Sequence, residues 1–122
     1  MNNKLINTIV ESRLNQVLIN ELDSYSINNV NEAYNLQEIV NTRLSSSGLG
    51  EVIGYKIGCT NKSIQKELGV NNPIFGPIFK SKIIQNNSKI SIKEFIKVGV
   101  ECEIYIKISK VINENTNYNI DN

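Results

Sequence analysis

An α+β fold is what this sequence predicts, and three observations carry the prediction. Apolar residues recur at helical spacing in two stretches before residue 45. A strand-like run punctuated by glycine follows at 51–58. Further on, residues 98–108 alternate apolar and polar with period two. Helices therefore come first and strands after them.

Residues 4–22 carry Ile6, Ile9, Val10, Leu14, Val17, Leu18 and Leu22 at helical spacing, with polar residues between them. Asp23-Ser-Tyr-Ser-Ile-Asn-Asn is a connector of turn and cap residues. A second helix is expected from Asn29 or Asn31 to about Leu44. Its stripe is Ala33, Gln37, Val40 and Leu44, flanked by Val30, Tyr34 and Leu36, and the breaker run Ser45-Ser-Ser-Gly-Leu-Gly50 ends it. Each helix is expected to bury one face against the other or against the sheet.

Glu51-Val-Ile-Gly-Tyr-Lys-Ile-Gly58 reads as a strand whose glycines mark a bulge or the close approach of a backbone or ligand. Gly54, Lys56 and Gly58 share one face, opposite Ile53, Tyr55 and Ile57, which leaves open space around the lysine ammonium. Pattern alone makes Lys56 a solvent-facing edge lysine. Thr60 or Asn61 caps a short helix through Leu68, and Gly69 stands where a left-handed residue is wanted. Val70-Asn-Asn-Pro-Ile-Phe-Gly-Pro-Ile-Phe79 reads as an apolar loop stiffened by two prolines, packed beneath a neighbouring domain or lining a cavity. Residues 82–85 and 88–92 are expected as short strand pieces around an Asn86-Asn87 turn.

In 98–108, Val98, Val100, Cys102, Ile104, Ile106 and Ile108 fall on one face. Glu101, Glu103, Tyr105 and Lys107 fall on the other, and Cys102 is expected to be buried in packing. Strand alternation aims both carboxylates the same way, close enough to share one hard cation. Two carboxylates side by side repel unless something positive sits between them. The same pattern also describes an ordinary solvated strand face.

Composition narrows the chemistry. The 122 residues carry 13 basic and 12 acidic side chains, a net charge of +1, with no basic cluster that would suit a nucleic acid. There is no membrane-length apolar run and no signal-peptide pattern at the start, so a soluble cytoplasmic protein is expected. The chain has no histidine, which excludes a Ser-His-Asp or Cys-His nucleophile system and His-ligated zinc within it. Any metal held here takes oxygen ligands, which favours Mg²⁺, Mn²⁺ or Ca²⁺. Cys59 and Cys102 are expected to be reduced thiols.

Five segments in order resemble the 2-keto-4-pentenoate hydratase family of the fumarylacetoacetate hydrolase superfamily. They are Val30-Asn-Glu-Ala-Tyr-Asn-Leu-Gln37, Gly54-Tyr-Lys-Ile-Gly58, Gln65-Lys-Glu-Leu-Gly-Val70, Pro73-Ile-Phe-Gly-Pro-Ile-Phe79 and Val100-Glu-Cys-Glu-Ile104. The resemblance implies a fumarylacetoacetate-hydrolase-like β-roll, present here as its N-terminal helices and first strands. Residues 1–80 would be a helical cap region with the lysine strand, and 81–122 the start of an incomplete β-rich catalytic domain. The implied activity is hydration of a 2-hydroxy-dienoate to a 4-hydroxy-2-keto acid in aromatic-compound catabolism, with Mg²⁺ or Mn²⁺ as cofactor. Glu101 and Glu103 match two metal ligands of the family. Lys56 matches its pocket lysine, in a catalytic and substrate-binding role, and Phe75 and Gly76 fall on its substrate loop. A homo-oligomer is implied for the full-length form, with no nucleic acid or membrane partner.

Two departures bear on the activity. The family's hydratases carry an aspartate after the loop proline, as Pro-Asp-Phe-Gly, where this chain has Ile74. An isoleucine cannot activate water, and the related 4-oxalocrotonate decarboxylases carry an apolar residue there. The family's third carboxylate ligand lies on a later segment, and after Glu103 this chain offers only Glu114 and Asp121. The expectation is an N-terminal part of the enzyme that is inactive alone. A decarboxylase-like enzyme and a non-catalytic remnant or partner subunit are the alternatives.

Overall fold

The computed structural model describes residues 3–20 and 25–113; Leu22, Asp23, Glu114 and Asp121 lie outside them. Helix α1 spans Asn3–Asn15, shorter than the predicted 4–22. Gln16 adopts φ +56°, and the Val17 amide donates to the Ser12 carbonyl at 3.0 Å, a Schellman ending that normally recruits glycine. The apolar spacing continues past this point, so nothing in the periodicity marks the stop. Val17 and Leu18 beyond it are exposed.

Helix α2 spans Val30–Leu44, as expected from its caps. The Asn29 side chain accepts the Glu32 amide at 2.9 Å, and Glu32 reaches back to the Asn28 amide at 2.9 Å. One amide that a helix start leaves unpaired, that of Glu32, is satisfied in this way, and the Glu32 carboxylate ties down the residue before the cap. The helix unwinds through Ser45–Leu49, where Gly48 (φ +106°) and Gly50 (φ +74°) take backbone conformations that a side chain would strain.

Strand β1 (Val52–Gly58) pairs antiparallel with β2 (Ile74–Phe79), and the irregularity falls between Val52 and Gly54, beside a glycine. The prediction of a loop at 70–79 is corrected, since its second half is a strand. The reason lies in the orientation of Pro77. Two residues earlier, the Phe75 amide donates to Tyr34 Oη at 3.2 Å and its carbonyl accepts from Gln37 Nε2 at 3.2 Å. Both groups thus point away from β1 and toward α2, and Pro77, in phase with them, has its nitrogen on that side too. Its missing N–H costs no ladder bond. The capping amide and hydroxyl also close an edge that would otherwise invite another strand.

Between the strands, α3 (Lys62–Glu67) starts at the Asn61 cap and ends before Gly69 at φ +68°. Gln65 is buried and fully used: its amide donates to the Cys59 carbonyl at 2.7 Å and its oxygen accepts from Lys62 Nζ at 2.9 Å. The core joins Ile6 and Val10 of α1, Val40 and Leu44 of α2, and Phe79 of β2. Helices and strands therefore form one mixed α and β arrangement with a two-stranded antiparallel sheet.

The remaining described residues depart from expectation. The Asn86-Asn87 turn forms, with Asn87 at φ +64°, but its flanks at 82–85 and 88–92 are not strands. Residues 98–108 are not a strand either, because no neighbouring segment among the described residues pairs with their backbone. Cys102 is exposed rather than buried. Alternation defines a face, but burial needs a second surface to meet it.

Candidate active site

The site begins with strand geometry. Lys56 lies on β1 opposite Gly76 of β2, and a side chain added at Gly54 or Gly76 would meet nothing within 4 Å. Of the two glycines expected to leave space around the lysine, Gly54 does so, whereas a side chain at Gly58 would touch Ile74 at 3.9 Å; the Lys56 ammonium extends to the later segment. There it meets both glutamates: Nζ lies 2.9 Å from Glu101 Oε2 and also hydrogen-bonds Glu103 Oε1. The two carboxylates do converge, as predicted from their spacing, even though their segment is not in a sheet.

The trio is open to water, with side chains 47% exposed for Lys56, 69% for Glu101 and 55% for Glu103. The hydrogen bonds to Glu103 and then Glu101 hold the Lys56 pKa above its ordinary 10.5. Lys56 is thus a fixed cation, and it occupies the position between the carboxylates that their mutual repulsion asks to be filled. Among the described residues no three His, Cys, Asp or Glu side chains converge as a metal cluster.

Behind the lysine, a cleft of about 530 Å³ separates α1 and α2 from the hairpin. Lys56, Phe75 and Gly76, the residues singled out from the sequence, all line it, together with Gln37, Ile74 and Arg13. Phe75 stacks on Tyr34 at 4.5 Å between ring centroids and meets Tyr55 edge-on at 5.7 Å. The Tyr34 and Gln37 side chains therefore fix the backbone and ring of Phe75 at the cleft. Sequence reading placed Gln37 in the helix stripe and missed this task. The signal was there: an amide on an apolar stripe needs a partner once the stripe packs.

Ile74 lines the cleft where an aspartate was the family expectation. The wall offers no carboxylate at that point to activate water.

Comparison with known proteins finds 2-keto-4-pentenoate hydratases among the relatives of this chain. A 2-keto-4-pentenoate hydratase of Burkholderia vietnamiensis is 35% identical over 78 residues, which is 64% of this chain and 29% of that protein. 2-Keto-4-pentenoate hydratase 2 of Dechloromonas aromatica is 31% identical over 88 residues, 72% of this chain and 33% of its own length. The Paraburkholderia xenovorans 2-keto-4-pentenoate hydratase is 35% identical over 82 residues, 67% and 30% respectively. The matched region thus spans about a third or less of each of these relatives. No family model matches the chain, and no solved structure matches it. No helix among the described residues is long and apolar enough to cross a membrane. Over 64–72% of its residues, this chain is a partial sequence relative of the 2-keto-4-pentenoate hydratase family.

Proposed function

We propose that this chain supplies the lysine and carboxylate part of a metal-dependent lyase site of the 2-keto-4-pentenoate hydratase type. The observation that carries the reading is the meeting of Lys56 with Glu101 and Glu103 beside the cleft that Phe75 and Gly76 line. The donor set suits a hard divalent cation: two carboxylates converge on one positively charged point and leave other directions free. Glu101 and Glu103 would hold Mg²⁺ or Mn²⁺. Such an ion supplies charge that polarises a 2-oxo group and stabilises developing enolate.

The chain's own residues then have distinct tasks. Lys56, released from the glutamates by a competing cation, remains protonated and pairs with the carboxylate of a 2-hydroxy-dienoate. Phe75 and the open backbone at Gly76 give the diene a flat apolar seat, held in place by Tyr34 and Gln37. In this reading the hairpin supplies the first strands of a fumarylacetoacetate-hydrolase-like β-roll, in a cytoplasmic homo-oligomer.

Two ligands and an exposed trio do not preorganise a cation, so the 122-residue polypeptide alone is expected to show no turnover. Mn²⁺ binding followed by electron paramagnetic resonance tests the metal site directly. Binding should weaken by at least about tenfold in Glu101→Gln or Glu103→Gln, as loss of one of two charged ligands requires. Mn²⁺ binding indifferent to both substitutions would remove the site and favour a non-catalytic partner subunit. Loss of diene absorbance on adding a 2-hydroxy-dienoate, abolished by Glu101→Ala, would show instead that the site is complete.

Ile74 at the cleft favours a second reading, decarboxylation of a 4-oxalocrotonate-type acid, which needs the cation as electron sink but no water-activating carboxylate. Carbon dioxide release from an assembled enzyme containing this chain, without hydration product, would select it.

A further inference from the structure

We propose that residues 98–108 are a pairing surface for a second copy of this chain, which runs antiparallel along the segment with Ile104 opposite Ile104. The proposal gives the homo-oligomer of the lyase reading a surface, and it rests on no chemistry of the cleft. Val98, Val100, Ile104, Ile106 and Ile108 alternate along the segment, and all of them are exposed. Single apolar side chains on a surface are ordinary, whereas a strictly alternating row is a continuous strip that association can cover. The backbone of the same residues pairs with no described segment, so its donors and acceptors can receive a strand from outside.

Charge identifies the occupant. Glu101 and Glu103 set two carboxylates against the one ammonium of Lys56, which leaves that stretch with one negative charge in excess. Lys107 is exposed on the same segment, and a second copy running the opposite way brings it to balance that charge. With Ile104 at the two-fold axis, Glu101 of each copy faces Lys107 of the other, and Glu103 faces Tyr105. Val100 faces Ile108 and Cys102 faces Ile106, so apolar meets apolar from 100 to 108, and Lys110 falls opposite Val98 only at the end of the paired stretch. Neighbouring arrangements fail on charge or on the apolar row. A parallel in-register pair stacks each glutamate on its own copy, an axis at Cys102 opposes Glu101 and Glu103, and an axis at Glu103 opposes that residue to itself. An axis at Tyr105 sets Lys110 against Val100, inside the row. The interface is therefore isologous and closes at two copies.

Two strands side by side with no covering layer associate weakly, so the chain is expected to be monomeric when dilute and dimeric from about 0.1 mM. Sedimentation velocity of the full 122-residue chain across that range reads the change in mass. Lys107→Glu sets like charges opposite each other twice in the dimer and should weaken association by at least about tenfold. Glu101→Lys should do the same. An equimolar mixture of the two variants should associate again, because in the mixed pair each altered charge faces its opposite. The melting temperatures of both dilute variants should match the wild type, since both side chains are exposed. A wild-type chain that stays monomeric near about 1 mM would overturn the proposal and leave the apolar row to a different polypeptide. A dimer indifferent to Lys107→Glu, a mixture that fails to recover, or growth beyond two copies would overturn it as well. Mn²⁺ binding in the same samples keeps the readings apart: a monomer that binds Mn²⁺ through Glu101 and Glu103 overturns the pairing alone, and a dimer that binds none overturns the lyase reading alone.

Discussion

Two parts of this molecule with similar apolar patterning meet different fates. In the helices and hairpin, Ile6, Leu44 and Phe79 are at most 2% exposed, closed in by one another. In residues 98–108, Val100 is 90% and Ile104 91% exposed, although their alternation is the more regular. The difference lies in the partner rather than the pattern. α1 and α2 each have an apolar stripe, and β2 brings Phe79 between them. The later segment has one apolar face and no surface among the described residues to set it against. Patterning specifies which side chains can be buried together, and tertiary contact decides whether they are.

Core truncation should break the comparison most strongly. Phe79→Ala removes a ring that three elements enclose and should cost about 3–5 kcal/mol in urea unfolding. Ile104→Ala should change stability by no more than about 0.5 kcal/mol. Equal effects would mean that the later segment packs in solution, and the contrast drawn here would fail.

A smaller effect probes how the hairpin is held. Tyr34→Phe keeps the stacking on Phe75 but removes the acceptor for its amide, and should cost about 1 kcal/mol. Hydrogen exchange at the Phe75 amide should quicken in that variant while amides inside α2 stay protected. Unchanged exchange would show that water replaces the hydroxyl without loss.

The smallest effect concerns the tie between the two regions. Lys56 links β1 to Glu101 and Glu103, and its pKa is raised by Glu103 foremost and then Glu101. A raised lysine pKa contributes stability that is fully present below the unfolded value, near 10.5, and is lost as pH rises through the higher folded value. The amide resonances of Glu101 and Glu103 should therefore hold steady through neutral pH and shift only above 10.5. Lys56→Met should shift them at all pH values and remove the alkaline transition, with little change in melting temperature because the trio is exposed. An alkaline transition that persists in Lys56→Met would belong to another group.

Local rules made much of this legible. The caps, narrowed to two residues each and found at Asn29 and Asn61, the break after Leu44, Gly69 at positive φ and the bulge beside Gly54 depend on neighbouring atoms and stereochemistry, so short windows of sequence suffice to place them. The shared aim of Glu101 and Glu103, two residues apart, was likewise anticipated, and both meet Lys56. The end of α1 was not legible, because Gln16 takes a left-handed conformation that its side chain does not advertise. β2 was hidden by Pro77, whose harmlessness depends on which way its nitrogen faces relative to α2.

By itself, then, the sequence determined helices, caps, turns and the lysine and glutamate positions, since each follows from contacts within a few residues. Tertiary structure alone decided that Lys56 meets the glutamates 45 and 47 positions away, that Tyr34 and Gln37 seat Phe75, and that Cys102 is exposed. Those outcomes depend on the register of β1 against β2 and on which surfaces find each other, and both are properties of the packed chain that no local window contains.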